Sequence, residues 1–139
     1  VPGSRNGIAP GKRGITGGGP VLFLRDGKLA LIIGSPAGAR KVTAITQAFL
    51  NVVDFGMTLS EAVAVDRIHV EDEPRTVIVE PHFAPDELIP LAELGQHVRY
   101  EWYTARLAGV LVDGEGRLQG GSDPRGDRGL VVVNPSNMP

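Results

Sequence analysis

Bulky apolar residues are sparse over the first 19 positions, where Val1, Ile8 and Ile15 interrupt a run of Gly, Pro, Asn and basic residues, and this stretch reads as loop. The pattern then changes. Val21-Leu22-Phe23-Leu24 and Leu29-Ala30-Leu31-Ile32-Ile33 flank Arg25-Asp26-Gly27-Lys28, and Asp-Gly between two apolar runs predicts a β-hairpin. The second run is apolar at every position, which predicts a central strand covered on both faces. From Lys41 onward Val42, Ile45, Phe49, Val52 and Val53 recur at helical spacing, predicting a core helix over 42–55 closed by Gly56. A short second helix begins near Thr58, with Thr58 or Ser60 as its cap and Thr58 and Glu61 at capping-box spacing.

The remaining elements are short. Residues 67–70 predict an extended piece, Glu71-Asp72-Glu73-Pro74 a solvated loop, and 76–80 a strand ended by Pro81. Residues 85–94 predict a helix despite Pro90, with acids in its first turn and Gly95 after its last. An edge strand over 97–100 and a second hairpin, 107–112 with 118–121 across Asp113-Gly114-Glu115-Gly116, complete the pattern. Ser122-Asp123-Pro124-Arg125 reads as a turn, 129–133 as a last apolar run, and 134–139 as a fraying tail. No internal repeat is visible. The expected architecture is a single α/β (α+β) domain over 1–139, with loop at 1–19 and sheet and helices at 20–133.

Composition narrows the function. A chain of 139 residues with 42% hydrophobic content can bury a core. Fourteen basic against sixteen acidic residues give a net charge of −2 and no argument for nucleic acid or an anionic membrane as partner. Cysteine is absent, which removes disulfides and thiol chemistry, and no apolar run approaches the roughly 20 residues of a membrane span. His69, His82 and His97 are too far apart for a local metal motif, so no metal is expected. Ser35, His69 and Asp66 can be written as a triad, but Pro36 removes the backbone N–H that a nucleophile elbow needs, and Ser35 reads as a turn residue. Gly17-Gly18-Gly19 precedes a strand and has no Lys-Ser after it, which argues against nucleotide binding. The start at Val1 caps no element, as expected of a processed chain or a C-terminal portion.

The stretch Gly34-Ser35-Pro36-Ala37-Gly38-Ala39-Arg40 joins the central strand to the long helix. A glycine-punctuated turn entering a helix converges backbone N–H groups on one point, which suits an anion or a developing oxyanion, although many such turns only turn. Upstream, Lys12-Arg13 and Gly14-Ile15-Thr16-Gly17-Gly18-Gly19-Pro20 place cations near accessible amides. These features recur in order with Asn6-Gly7-Ile8-Ala9-Pro10-Gly11, Asn51-Val52-Val53-Asp54-Phe55-Gly56-Met57, Glu61-Ala62, Asp66-Arg67-Ile68-His69 and Gly121-Ser122-Asp123-Pro124-Arg125. Together they resemble the C-terminal part of gamma-glutamyltranspeptidase small subunits over nearly the whole chain.

The resemblance implies an N-terminal-nucleophile hydrolase, of which this chain forms part of the four-layer αββα sandwich. In such an enzyme a precursor cleaves itself, and the exposed threonine attacks a gamma-glutamyl amide to form an acyl-enzyme that water or an amino acceptor resolves. No cofactor is implied. The family's oxyanion-hole positions fall on the backbone N–H groups of Ala37 and Gly38, and its tandem serines, which hold the substrate's alpha-carboxylate, fall on Thr16 and Gly17. Gly17 offers no hydroxyl, which predicts weakened selection for that carboxylate and admission of a different or larger acyl group. Arg13 and Arg40 are expected to support the loops. The nucleophilic threonine and the groups gripping the glutamyl amine are expected upstream, in the large subunit and nucleophile-bearing segment that would be this chain's partners. Two alternatives stand beside this reading: a non-catalytic homologue or fragment, and a related amide hydrolase with altered acyl specificity. The resemblance suggests a periplasmic or extracellular location, and a cytoplasmic one stays open.

Overall fold

The computed structural model describes residues 7–13, 17–72, 75–126 and 129. Two sheets and a pair of core helices result. Strands β1 (Val21–Arg25) and β2 (Lys28–Gly34) form the first hairpin, with Asp26 and Gly27 both at positive φ, as an Asp-Gly turn of type I′ requires. The second hairpin, β6 (Ala108–Val112) and β7 (Leu118–Ser122), joins it through antiparallel pairing of β6 to β2. The sheet order is therefore β1-β2-β6-β7, with β2 in the interior as expected.

Helices α1 (Arg40–Val53) and α2 (Leu59–Ala64) lie on one face of this sheet. The expected cover on both faces of β2 is met on one. Leu31 and Ile33 point toward the helices and are buried with Ala44, Ile45, Ala48, Leu59 and Val63, while Phe23 stacks on Phe49 with ring centroids 4.1 Å apart. The opposite face carries Leu22, Ile32 and Val110 in cross-strand register, and there Leu22 is 57% exposed. Among the described residues nothing covers that face. Glycine at 121 permits the close approach of α2, since a β-carbon there would stand 2.6 Å from Leu59 Cγ. Thr58 caps α2 with the full capping box predicted with Glu61.

The second sheet has the order β3-β4-β5, from β3 (Ile68–Asp72), β4 (Arg75–Val79) and β5 (Val98–Tyr100). β4 pairs antiparallel with β3 and parallel with β5, which is an edge strand as predicted. The expected helix over 85–94 is a 3₁₀ turn at Pro85–Leu88 followed by α3 (Ile89–Glu93). Pro90 falls in the first turn of α3, where its missing N–H costs no intrahelical bond. Leu88, Phe83 and Leu91 pack with Val77, Val79 and Val98 as a second, smaller core. Glu71 and Asp72, expected in a solvated loop, belong instead to β3, where they pair with Thr76 and Arg75 of β4. The predicted runs at 129–133 and 134–139 lie outside the described residues, save Gly129.

Candidate functional site

The 34–40 turn leaves the end of the interior strand β2 and enters α1. Its internal bonds follow from its residues. Ser35 Oγ accepts the Ala37 N–H at 3.2 Å, a serine turn, and Gly38 N–H donates to the Pro36 carbonyl at 3.0 Å. Gly38 stands at φ +58°, a conformation that glycine adopts without cost, and space around it is open. Ala37 is half-buried against the main core. α1 begins at Arg40 with Ala39 at its cap position, with no side-chain cap and no acidic residue in its first turn. The helix thus presents beside Ala37 and Gly38 a positive end that no side chain caps and no acid of its own first turn offsets.

The upstream loop runs alongside this turn. A β-carbon on Gly34 would stand 3.8 Å from Pro20 Cα, and one on Gly17 would stand 3.8 Å from Lys41 Nζ. Gly17 is exposed and so is Arg13, whereas Thr16 lies outside the described residues. Of the residues singled out from sequence, the structure therefore brings Gly17, Ala37, Gly38 and Arg40 around the head of α1.

Arg40 locks that helix end to the second sheet. Its guanidinium bonds Glu71 and, at 2.6 Å, Glu101, while Arg99 bridges the same two carboxylates at 3.1 and 2.6 Å. Hydrogen bonds from Arg40 hold Glu71 and Glu101 below the ordinary glutamate range against the opposing effect of burial, and the bond to Glu101 raises Arg40 in turn. Two further contacts dock α1 on β3. The Thr43 hydroxyl lies 2.8 Å from His69 Nδ1, and the Gln47 side-chain amide pairs with both the N–H and the carbonyl of Ile68. Burial, and then the charge of Arg40, hold His69 below the usual histidine value despite the nearby carboxylates.

The paper triad does not assemble. Ser35 Oγ serves Ala37, His69 Nδ1 meets Thr43, and Asp66 bonds His82 and Arg125. Burial opposes ionisation of Asp66, but hydrogen bonds and charge from His82, with the charge of Arg125, outweigh it and lower its pKa.

Sequence reasoning missed a buried ionic cluster that joins the motifs at 66–69 and 121–125. Arg67, 1% exposed, reaches the carbonyls of Val63 and Ala105 and Asp123 Oδ2 at 2.7 Å. Arg125 bonds Glu80 at 2.6 Å, Asp123 at 3.1 Å and Asp66 at 2.9 Å. Glu80 also accepts from the N–H and hydroxyl of Thr104, and Asp123 from the N–H of Leu107. Two arginines and three carboxylates thereby clamp α2, β4 and the approach to β6 together. The signal in the sequence was two short charged motifs, with nothing local to pair them.

Comparison with known proteins adds the following. The family model described as gamma-glutamyltranspeptidase matches residues 1–133. The glutathione hydrolase proenzyme of Escherichia coli strain K12 is 35% identical over 125 residues, covering 90% of this chain and 22% of that protein. An acylase ACY 1 proenzyme of Pseudomonas sp. strain SE83 is 39% identical over 70 residues, covering 50% of this chain and 12% of its own length. Among solved structures, the gamma-glutamyltranspeptidase from Pseudomonas nitroreducens complexed with L-DON superposes with a TM-score of 0.79 at 32% identity, covering 96% of this chain and 71% of that one. The chain spans about a quarter of the length of the glutathione hydrolase proenzymes it matches.

Proposed function

The chain belongs to the gamma-glutamyltranspeptidase family, and from that membership we propose that it is the oxyanion-stabilising part of an enzyme that transfers or hydrolyses gamma-glutamyl amides such as glutathione through a threonine acyl-enzyme. The observation that carries the reading is the 34–40 turn, where the N–H groups of Ala37 and Gly38 stand at the head of a helix with no acid in its first turn. Both donors are held by neutral acceptors within the loop. A developing oxyanion is a stronger acceptor than either, so the exchange favours the tetrahedral intermediate, and a lost donor of this kind costs about 2.7–4 kcal/mol of barrier. Thr16 contacts the carboxylate of the acyl group, Gly17 opens the adjoining wall, and Arg13 and Arg40 support the two loops. The nucleophilic threonine is supplied by another part of the enzyme, in keeping with a chain that spans about a quarter of the glutathione hydrolase proenzymes it matches. The sheet face of Leu22, Ile32 and Val110, which no described residue covers, supports a place in a larger layered sandwich.

Mass spectrometry of the full-length product, joined to turnover of a gamma-glutamyl anilide, tests the reading. Self-cleavage exposing an N-terminal threonine, with anilide turnover, is the expected result; an intact, inert chain supports a non-catalytic homologue instead. The acylase relative and the Thr16-Gly17 pair favour one second reading, a related amide hydrolase of different acyl preference, and profiling with amides of other acids separates the two.

A further inference from the structure

The head of α1 holds a cation that the network around Arg40 does not use. Arg40 and Arg99 are both bound by Glu71 and Glu101. The ammonium of Lys41, the next residue of the helix and half-buried, has no hydrogen-bond or ion-pair partner among the described residues. It stands 3.8 Å from the point where a side chain on Gly17 would begin, and among the described residues beyond the chain neighbours of Gly17 no other atom comes within 4 Å of that point. Glycine at 17 thus leaves an open wall that the Lys41 ammonium faces, and Lys41 belongs to the same helix head that follows Ala37 and Gly38.

We propose that Lys41 is a specificity-determining residue of the acyl site, its ammonium binding the carboxylate of a gamma-glutamyl-type acyl group across the gap left at Gly17. The proposal rests on the gamma-glutamyl reading above. An ammonium on a four-carbon stem is a mobile point charge with three donors, so it meets a carboxylate over a wider range of positions than a fixed hydroxyl. No carboxylate among the described residues pairs with it, and the positive end of α1 adds to its field. The family resemblance, with Gly17 in place of a serine, implies weakened carboxylate selection. With Lys41 in place, selection is kept by charge, and the room beside Gly17 admits variation in the rest of the acyl group.

The test uses the full-length, self-processed protein with two substrates, gamma-glutamyl-p-nitroanilide and 4-aminobutyryl-p-nitroanilide, the same acyl chain without its alpha-carboxylate. Lys41→Met is expected to raise KM for the gamma-glutamyl substrate about 10- to 100-fold, with kcat within about twofold. It leaves kcat/KM for the 4-aminobutyryl substrate unchanged, and Lys41→Arg restores most of the loss. Gly17→Leu, which fills the same gap from the opposite side, raises the same KM while self-cleavage shows the fold intact. Equal losses on both substrates, or an unchanged KM for the gamma-glutamyl substrate in an active enzyme, overturn the role of Lys41 alone. A wild-type enzyme that turns over neither anilide refutes the gamma-glutamyl reading, and the role of Lys41 falls with it.

Discussion

Replacing Asp123 by alanine removes the carboxylate shared by Arg67 and Arg125 at the centre of the ionic cluster. Asp123 is 2% exposed and accepts four bonds: Arg67 at 2.7 Å, the Leu107 N–H at 3.1 Å, the Arg125 N–H at 2.9 Å and the Arg125 side chain at 3.1 Å. Breaking a buried pair by deleting one partner costs about 3–5 kcal/mol, because the other charge stays buried without compensation. Glu80 remains, 2.6 Å from Arg125 and 3.9 Å from Arg67, so the expected loss lies at the lower end, about 3 kcal/mol. That is roughly a hundredfold increase in the local opening constant, at about 1.4 kcal/mol per factor of ten. Hydrogen exchange followed by mass spectrometry on the full-length protein reads it in peptides covering 63–67 and 104–108. Asp123→Asn keeps an acceptor for Arg67 and is expected to lose less. Unchanged exchange in those peptides in Asp123→Ala would refute the reasoning, since it would mean that the cluster holds nothing together.

Other expectations follow from the same contacts. Gly121→Ala drives a β-carbon to 2.6 Å from Leu59 Cγ and 2.9 Å from the Leu59 carbonyl oxygen, and overpacking of this kind is expected to cost about 1–3 kcal/mol, visible as a lowered melting temperature. For the acid dependence, Glu71 and Glu101 have folded-state pKa values below the ordinary 4.5, so their contribution is present above that value and is lost as pH falls through the folded values. The difference in melting temperature between wild type and Glu101→Gln is therefore expected to be constant from pH 7 to about 5 and to shrink toward zero in stronger acid; a difference that grows on acidification would contradict the network. Thr16→Ala is expected to lower kcat/KM for gamma-glutamyl anilide about tenfold, and normal turnover would remove Thr16 from the acyl site.

Much of the fold was legible because its signals are local. Both hairpins announce themselves by turn chemistry, and the Thr58–Glu61 box fixes the start of α2. Helix α1 starts two residues before the periodic pattern does, because Ala39 gives no capping signal. What the sequence hid depends on distant pairs. Glu71 reads as part of an acidic loop until Arg40, 31 positions earlier, and Arg99 are seen to bind it. Arg67 and Asp123 are 56 positions apart, and no periodicity predicts their bond. The candidate site divided along the same line. The 34–40 stretch was legible as a glycine-punctuated turn entering a helix, while the roles proposed for Ala37, Gly38 and Gly17 come from the family resemblance, and the approach of Lys41 to Gly17 exists only once the loop at 17–20 is laid against α1.

The central claim is that Ala37 and Gly38 hold the developing oxyanion. Its most direct measurement is a crystal structure of the full-length, self-processed enzyme with a gamma-glutamyl phosphonate bonded to its nucleophile. A phosphonate oxygen is expected about 2.7–3.1 Å from both the Ala37 and Gly38 nitrogens, with the Ser35 Oγ contact to Ala37 broken. An adduct whose oxygen points elsewhere, with the Ala37 N–H still on Ser35 Oγ and the Gly38 N–H still on the Pro36 carbonyl, would contradict it.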